Sequence, residues 1–310
     1  MPLADVLTHV RGARPLPFIA AVAVATATFP LRAARWRFLL RLEGQELPFT
    51  PLWHATAIGF MANNVLPARA GEFARAFAAS RLTGVRFSAA LASVAVERIM
   101  DGITMVALMT MAIATGNVGR DSTVGGMSLV GITTAAAIFF GVALVAAVLV
   151  VHWPAPALAA ARLVFTRLLP AGVAERAVRL IEGVLAGLDS LRSLPRFAAV
   201  AAWSLVVWCT YAASFWLCFQ AFGIQVPWTT AFLLQGLIGF GVAIPSSPGF
   251  FGPFEAVTRA TLALFGIEAS RAVSYAVGYH LGTFIPVTLL GLWSLSRADL
   301  RLADLRRGRA

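Results

Sequence analysis

Five stretches of this chain, at about residues 16–38, 87–116, 124–151, 197–222 and 271–295, are apolar over the length a helix needs to cross a bilayer. A hydrocarbon layer ~30 Å thick, divided by a rise of 1.5 Å per residue, requires about 20 such residues. Backbone amides in hydrocarbon must find partners inside their own segment, so runs of this length predict helices. Only 13% of residues are charged against 59% hydrophobic, about half the charged share of a soluble domain. An ordinary soluble enzyme is thereby excluded. Residues 1–16 hold Asp5, His9, Arg11 and Arg14 and lead into the first run without a small-x-small cleavage site. That segment reads as a retained first span.

Two further apolar runs, 52–66 and 228–244, stop early at Pro67 and Pro245, and each precedes a Gly-rich break and a second helical stretch. The arginines decide how to read them, because cytoplasmic loops carry the basic excess. All 25 basic residues are Arg, a bias that fits genome composition or a demand for guanidinium forks that grip phosphate. They group as Arg32, Arg35, Arg37 and Arg41; Arg69, Arg75, Arg81 and Arg86; Arg120 alone; six within 152–196; none within 223–227; and five in the tail from Arg297. If 52–66 dips into the membrane and returns, the first two groups share a side and every later loop alternates. The expected topology is five crossings plus two re-entrant hairpins, with the C-terminus in the cytoplasm; Arg11 and Arg14 fall on the outer side, against the rule. Residues 155–194 are too polar to span. Val178, Ile181, Val184, Leu185, Leu188 and Leu191 recur at helical steps opposite Glu175, Arg179, Glu182, Asp189 and Arg192, which predicts amphipathic cytoplasmic helices that face anionic lipid or pack on the bundle.

Superposing Gly71 on Gly252 aligns two breaks. Gly71 to Gly84 is 13 residues and Gly252 to Gly266 is 14; Gly84 to Arg98 and Gly266 to His280 are both 14. Each half is a half-span, a Pro/Gly break, a returning helix, a Gly turn and a full span with polar residues at its middle. The hairpins enter from opposite sides, so the fold expected is an all-α polytopic membrane bundle with two re-entrant helical hairpins in an inverted repeat, forming a single domain over 1–310. Repeat 1 covers about 16–116, repeat 2 about 197–295, and a basic tail 296–310. Inverted repeats with broken helices place substrate sites near the bilayer midplane.

The charges inside these halves are the candidate site. Glu97, Arg98 and Asp101 approach one side of a helix through steps of three and four, and at ~2.5–3.5 kcal/mol each they oppose insertion unless they face protein or a wet cavity. They read either as an internal salt bridge or as a headgroup or proton site, with Arg98 and Asp101 paired and Glu97 left to titrate. At the first break, Asn63 and Asn64 offer amides, Gly71 opens a new helix whose exposed N–H groups suit an anion, and Arg69 and Arg75 add donors for phosphate. Glu72 fits both the helix dipole and a functional role. At the second break, Ser246 and Ser247 satisfy freed backbone groups, Pro248, Gly249 and Gly252 shape the turn, and Glu255 falls in the first turn of the next helix. His280 is mid-span, as a packing residue or a proton relay.

The strings NNVLPARAGEFARA (63–76), VERIMDG (96–102) and IPSSPGFFGPFE (244–255), with Arg35-Trp36, resemble the membrane region of lysylphosphatidylglycerol synthases, the flippase-like family also called UPF0104. The resemblance covers about residues 30–295. The chain departs from it where the family carries a Pro-Gly-Gly-Leu-Gly run: Phe250 stands at the second Gly, and Pro253 follows the last. The resemblance implies movement of a lipid or lipid-linked molecule between leaflets. In the fused synthases a separate soluble domain transfers the aminoacyl group; this sequence runs only 15 residues past Leu295, so aminoacylation is not expected.

Motifs for an enzyme are missing: His9, His54, His152 and His280 are isolated, and HExxH, GxSxG with a base, and a Walker A loop do not occur. Cys209 and Cys218 lie on opposite faces of one helix and predict no disulfide. The expectation is therefore a non-enzymatic flippase of a bacterial inner membrane, without cofactor or metal and with no nucleic acid partner. Its partners are membrane lipids with an anionic or phosphate-bearing headgroup, together with a lipid-synthesising enzyme. The alternative is a non-transporting scaffold or accessory subunit for a lipid- or glycan-modifying enzyme.

Overall fold

The computed structural model describes residues 8–42, 45–66, 70–115, 117–119, 121–187, 192–242 and 247–301, and 81% of the protein is helical. The helices are α1 (Pro15–Leu39), α2 (Phe49–Val65), α3 (Gly71–Thr83), α4 (Phe87–Ala114), α5 (Leu129–His152), α6 (Pro154–Leu168), α7 (Ala171–Gly187), α8 (Leu194–Ala221), α9 (Thr230–Gly241), α10 (Pro253–Ala263) and α11 (Ala269–Arg297). A 3-10 turn, Pro248–Phe250, precedes α10, and two-residue hairpins pair Arg41–Leu42 with Gln45–Glu46 and Thr123–Val124 with Met127–Ser128. The all-α membrane bundle is as expected. Among the described residues, α1, α5, α8 and α11 are long and apolar enough to cross a membrane. Helix α4 is as long as α8, at 28 residues, but carries Glu97, Arg98 and Asp101.

Helix α5 begins five residues later than the apolar run at 124 predicts, because Gly125 and Gly126 take positive φ and close the small hairpin before it. A larger correction concerns the arginines: Arg32 and Arg35 belong to no loop. Helix α1 runs on to Leu39, and both side chains are buried within the bundle, so they are removed from the count of loop charges.

The paired breaks open helical hairpins. Gly59 and Gly71 let α2 and α3 touch backbone to backbone: a Cβ on Gly71 would collide with the Gly59 carbonyl and the Asn63 side chain, and one on Gly59 with Arg75 Cβ. Gly71→Ala is accordingly expected to lower stability by about 1–3 kcal/mol through overpacking. A thermal melt of the detergent-purified variant that matches the parent would contradict this. At the far end of each returning helix the two equivalent turns adopt the same left-handed backbone, Gly84 at φ 77° and Gly266 at φ 69°, a conformation that only glycine adopts without steric cost.

Contacts between helices also correspond in pairs. Helix α1 packs along α8. Around that central pair, α2 on α3 has its counterpart in α9 on α10, and α3 on α4 in α10 on α11. Likewise α2 on α11 matches α9 on α4, and α4 on α8 matches α11 on α1. Helices α5, α6 and α7 stand outside this scheme. Helix α7 lies against the start of α4, with Gly183 seated on Ser88 and Ala174 and Val178 buried, while Glu175 and Arg179 pair in the open. Of the two expectations for this amphipathic stretch, packing on the bundle is what its apolar edge does. Leu188 to Leu191, the end of the stretch, lie outside the described residues.

Candidate functional site

Helix α4 brings its three charges to a point where α1, α3 and α8 converge. Glu97 and Asp101, four residues apart, present their carboxylates on one side of the helix, and four guanidiniums gather around them. Asp101 accepts from Arg35 Nη1 and, at 2.8 Å, from the indole N–H of Trp208; Arg98 Nη2 approaches it at 3.3 Å and Arg32 Nη1 at 3.7 Å. Glu97 Oε1 receives Arg75 Nη1 at 2.6 Å, Arg98 Nη2 at 2.7 Å and Arg35 Nη2 at 3.1 Å. Arg35 also donates to Ser204 Oγ at 2.8 Å. Arg98 and Asp101 pair as expected, but the expectation that Glu97 is left free to titrate is corrected. Glu97 is fully buried and meets three arginines, because α1 and α3 each bring one that the spacing within α4 could not show.

The cluster is rich in positive charge. Four arginines face Glu97 and Asp101, and even with Glu72, which acts electrostatically on Arg98, cations outnumber anions. Aromatic faces carry part of the excess: the Arg75 guanidinium lies 3.8 Å from the Trp36 ring centre, and Arg32 lies 5.0 Å from Trp208 and 5.3 Å from Phe60, geometries in which a ring quadrupole attracts a cation. Trp36 is fixed in turn by its indole N–H on Ser93 Oγ. Arg75 Nε and Nη2, Arg32 Nη1 and Glu97 Oε2 are buried with no hydrogen-bond partner among the described residues. Arg98 alone of the four arginines opens outward, its side chain 35% exposed while that of Arg35 is at 0%.

Each break carries one internal hydrogen bond at its helix start. Gly71 N–H donates to Asn63 Oδ1 at 2.8 Å and Gly252 N–H to Glu255 Oε2 at 2.6 Å. One N–H at the start of each returning helix is thus held from inside the protein. Asn64 reaches across to α11, donating to Thr288 Oγ1 at 2.9 Å and approaching the Phe284 carbonyl at 3.4 Å. The 3-10 turn of the second break packs on α2, and a Cβ on Gly249 would meet the Phe284 ring. The two breaks thus adjoin the same stretch of α11. Ser247 Oγ holds the Phe251 carbonyl at 2.6 Å, and Pro248 is exposed at the start of the turn. His280 Nε2 lies 2.7 Å from the Gly249 carbonyl and Nδ1 lies 2.6 Å from Glu255 Oε1, with the ring stacked on Phe251. Arg69 and Ser246 lie outside the described residues.

The family described as the lysylphosphatidylglycerol synthase TM region matches residues 2–291. The chain belongs to that family. Among curated proteins it is similar to glycosyltransferase AglD of Haloferax volcanii, 28% identical over 302 residues that cover 89% of this chain and 48% of the relative. It is also similar to a UPF0104 membrane protein of Methanothermobacter thermautotrophicus, 25% identical over 285 residues covering 87% and 80% of the two chains. The chain spans about half the length of the glycosyltransferase. No solved structure matches it.

In this member of the lysylphosphatidylglycerol synthase TM-region family, Phe250, at the position where the sequence departs from the expected glycine run, takes φ 63°, a left-handed conformation that costs a residue with a Cβ about 1–2 kcal/mol. Sequence reasoning left out Arg32, Arg35, Trp36, Trp208 and Ser204 as site residues. The available signal was the pair Arg32 and Arg35, one helical turn apart at the end of an apolar run, beside two acids in α4 with a single basic neighbour to pair them.

Proposed function

We propose that this multi-pass membrane protein is a lipid flippase of a bacterial inner membrane, moving a lipid or lipid-linked molecule with an anionic or phosphate-bearing headgroup between leaflets. The observation that carries this reading is the buried arginine-rich cluster with one outward-opening member, Arg98, beside the first break. A guanidinium fork matches phosphate oxygens and binds them with charge-assisted hydrogen bonds. Glu97 and Asp101 hold the arginines apart and in place, and Arg98 offers its free edge to a headgroup. Acyl chains stay in the lipid phase.

The paired contacts of the two halves support an inverted repeat, with α2–α3 and α9–α10 as re-entrant hairpins and α4 as a fifth crossing. In that arrangement the two breaks form the polar passage, and the C-terminus is cytoplasmic. The family's name and the missing enzyme motifs favour a non-enzymatic role. The test is leaflet exchange in vesicles holding the purified protein: a fluorescent phosphatidylglycerol should become accessible to an external quencher faster than in protein-free vesicles. If no anionic lipid, with an ion gradient or without, exchanges faster, the reading is overturned.

A second reading is favoured by one comparison. The relative named glycosyltransferase AglD is about twice as long as its match here, which suits a membrane module that holds a lipid- or glycan-modifying enzyme at the membrane. On that reading Arg98→Gln leaves function intact, whereas changes on the exposed face of α7 abolish it.

A further inference from the structure

We propose that Glu255 and His280 form a proton-binding latch on the second break. One proton, held between imidazole Nδ1 and carboxylate Oε1, fastens the turn 248–252 to α11, and its loss frees that turn. A backbone carbonyl only accepts, so the 2.7 Å contact of His280 Nε2 with the Gly249 oxygen requires N–H at Nε2. Nδ1 then has a lone pair, and it faces a carboxylate oxygen at 2.6 Å. Two acceptors at that distance repel, so a proton lies between them, either as imidazolium with carboxylate or as imidazole with carboxylic acid. Both forms are net neutral, and releasing the proton to water leaves the pair at −1.

That proton sits in a load path through the turn. Glu255 Oε2 holds Gly252 N–H, Glu255 Oε1 holds His280, and His280 holds Gly249 C=O. The two ends of the turn are therefore tied to α11 through one side-chain pair. Gly252 at φ 97° and Phe250 at φ 63° are conformations with little intrinsic preference, which the ties maintain. Among the described residues, the groups facing the pair leave the proton as its charge partner. From α10 comes Glu255 itself, with Arg259 exposed one turn beyond; the turn 248–252 contributes the Gly249 carbonyl, the Gly252 N–H and the Phe251 ring; α1 presents Phe18 and Val22 at Gly282; α2 presents Asn64; and α8 reaches Tyr279 through the hydroxyl of Ser214. Phe251 and Phe254 pack against the imidazole, while the Glu255 side chain is 17% exposed, which gives the proton a way out to water.

If the second break is the outer gate of a flippase, protonation closes it and deprotonation opens it, so the pH on that side sets how often the gate opens. That coupling rests on the transport reading; the latch does not. The test therefore reads the turn directly. In protein with Cys209 and Cys218 replaced by Ser, Ser247→Cys is labelled in vesicles by a water-soluble maleimide across about pH 5 to about pH 8, the span in which histidine switches. Glu255→Gln supplies the reference: its amide donates to Nδ1 and accepts from Gly252, so it keeps both ties with no proton to lose, and dividing by its rate removes the thiol's own titration. The normalised rate is expected to rise about fivefold with pH, as an open state of about 10% becomes half the population. A normalised rate that stays flat overturns the latch, as does a wild type less reactive at high pH than the reference. The pH response of the Ser247→Cys protein needs no change in the pair itself. A pH-dependent latch in a protein that exchanges no lipid would sink the transport reading and leave the latch standing.

Discussion

Replacing Asp101 by alanine is expected to cost about 3–5 kcal/mol of stability, the range for breaking a buried ion pair by removing one partner. Asp101 is 1% exposed and joins three helices: it receives Arg35 from α1 and Trp208 from α8, and Arg98 and Arg32 lie within 4 Å. Without it Arg35 keeps Glu97 and Ser204, but four buried or half-buried cations then share a single close carboxylate. The measurement is the fraction of protein that stays monodisperse on extraction, together with a thermal melt. The double change Asp101→Leu with Arg35→Met should recover part of the loss, since apolar groups of similar volume remove both charges at once. A single Asp101→Ala variant as stable as the parent would show that the cluster is hydrated and that its pairing is incidental.

Much of this arrangement is legible in the chain, and the limit is set by range. The helices α1, α4, α8 and α11 follow from runs of apolar residues, and the two breaks from Pro and Gly, because both signals are local. The matching Gly84 and Gly266 turns follow from spacing that survives between the halves. The partners of Glu97 and Asp101 do not, because Arg35 and Trp208 lie 66 and 107 residues from Asp101, and no periodicity within α4 points at them. Counting arginines as loop charges compounded the error: Arg32 and Arg35 are four to seven residues from the end of α1, where guanidinium stems ordinarily reach back to water, yet two acids and two aromatic rings hold them inside. At the second break, Glu255 was legible as a helix-start residue through the dipole. Its bond to His280 was not, since it depends on how α10 folds back on α11.

Arg98→Gln is expected to slow leaflet exchange of an anionic lipid by about 10–100-fold, the equivalent of losing a charge-assisted hydrogen bond of about 1.5–3 kcal/mol, while stability falls by less than it does for Asp101→Ala. The two expectations separate because of where Arg98 stands. Its side chain is 35% exposed, whereas those of the other three arginines of the cluster are at most 5% exposed, so its loss disturbs the buried packing least. The carboxylates it touches keep other partners: Arg75 and Arg35 remain on Glu97, and Arg35 with the Trp208 indole on Asp101. Removing it therefore strands no buried acid. It does remove the outward-facing guanidinium from a cluster whose remaining charge is enclosed, and the glutamine that replaces it keeps amide donors without the positive charge. Exchange of a zwitterionic lipid should fall less than that of an anionic one, because only the latter needs the lost charge. If both lipids slow equally with stability unchanged, Arg98 shapes the passage without reading headgroup charge. If neither slows, the headgroup is held elsewhere, and the scaffold reading, in which Arg98 has no role beyond the bundle, gains the ground.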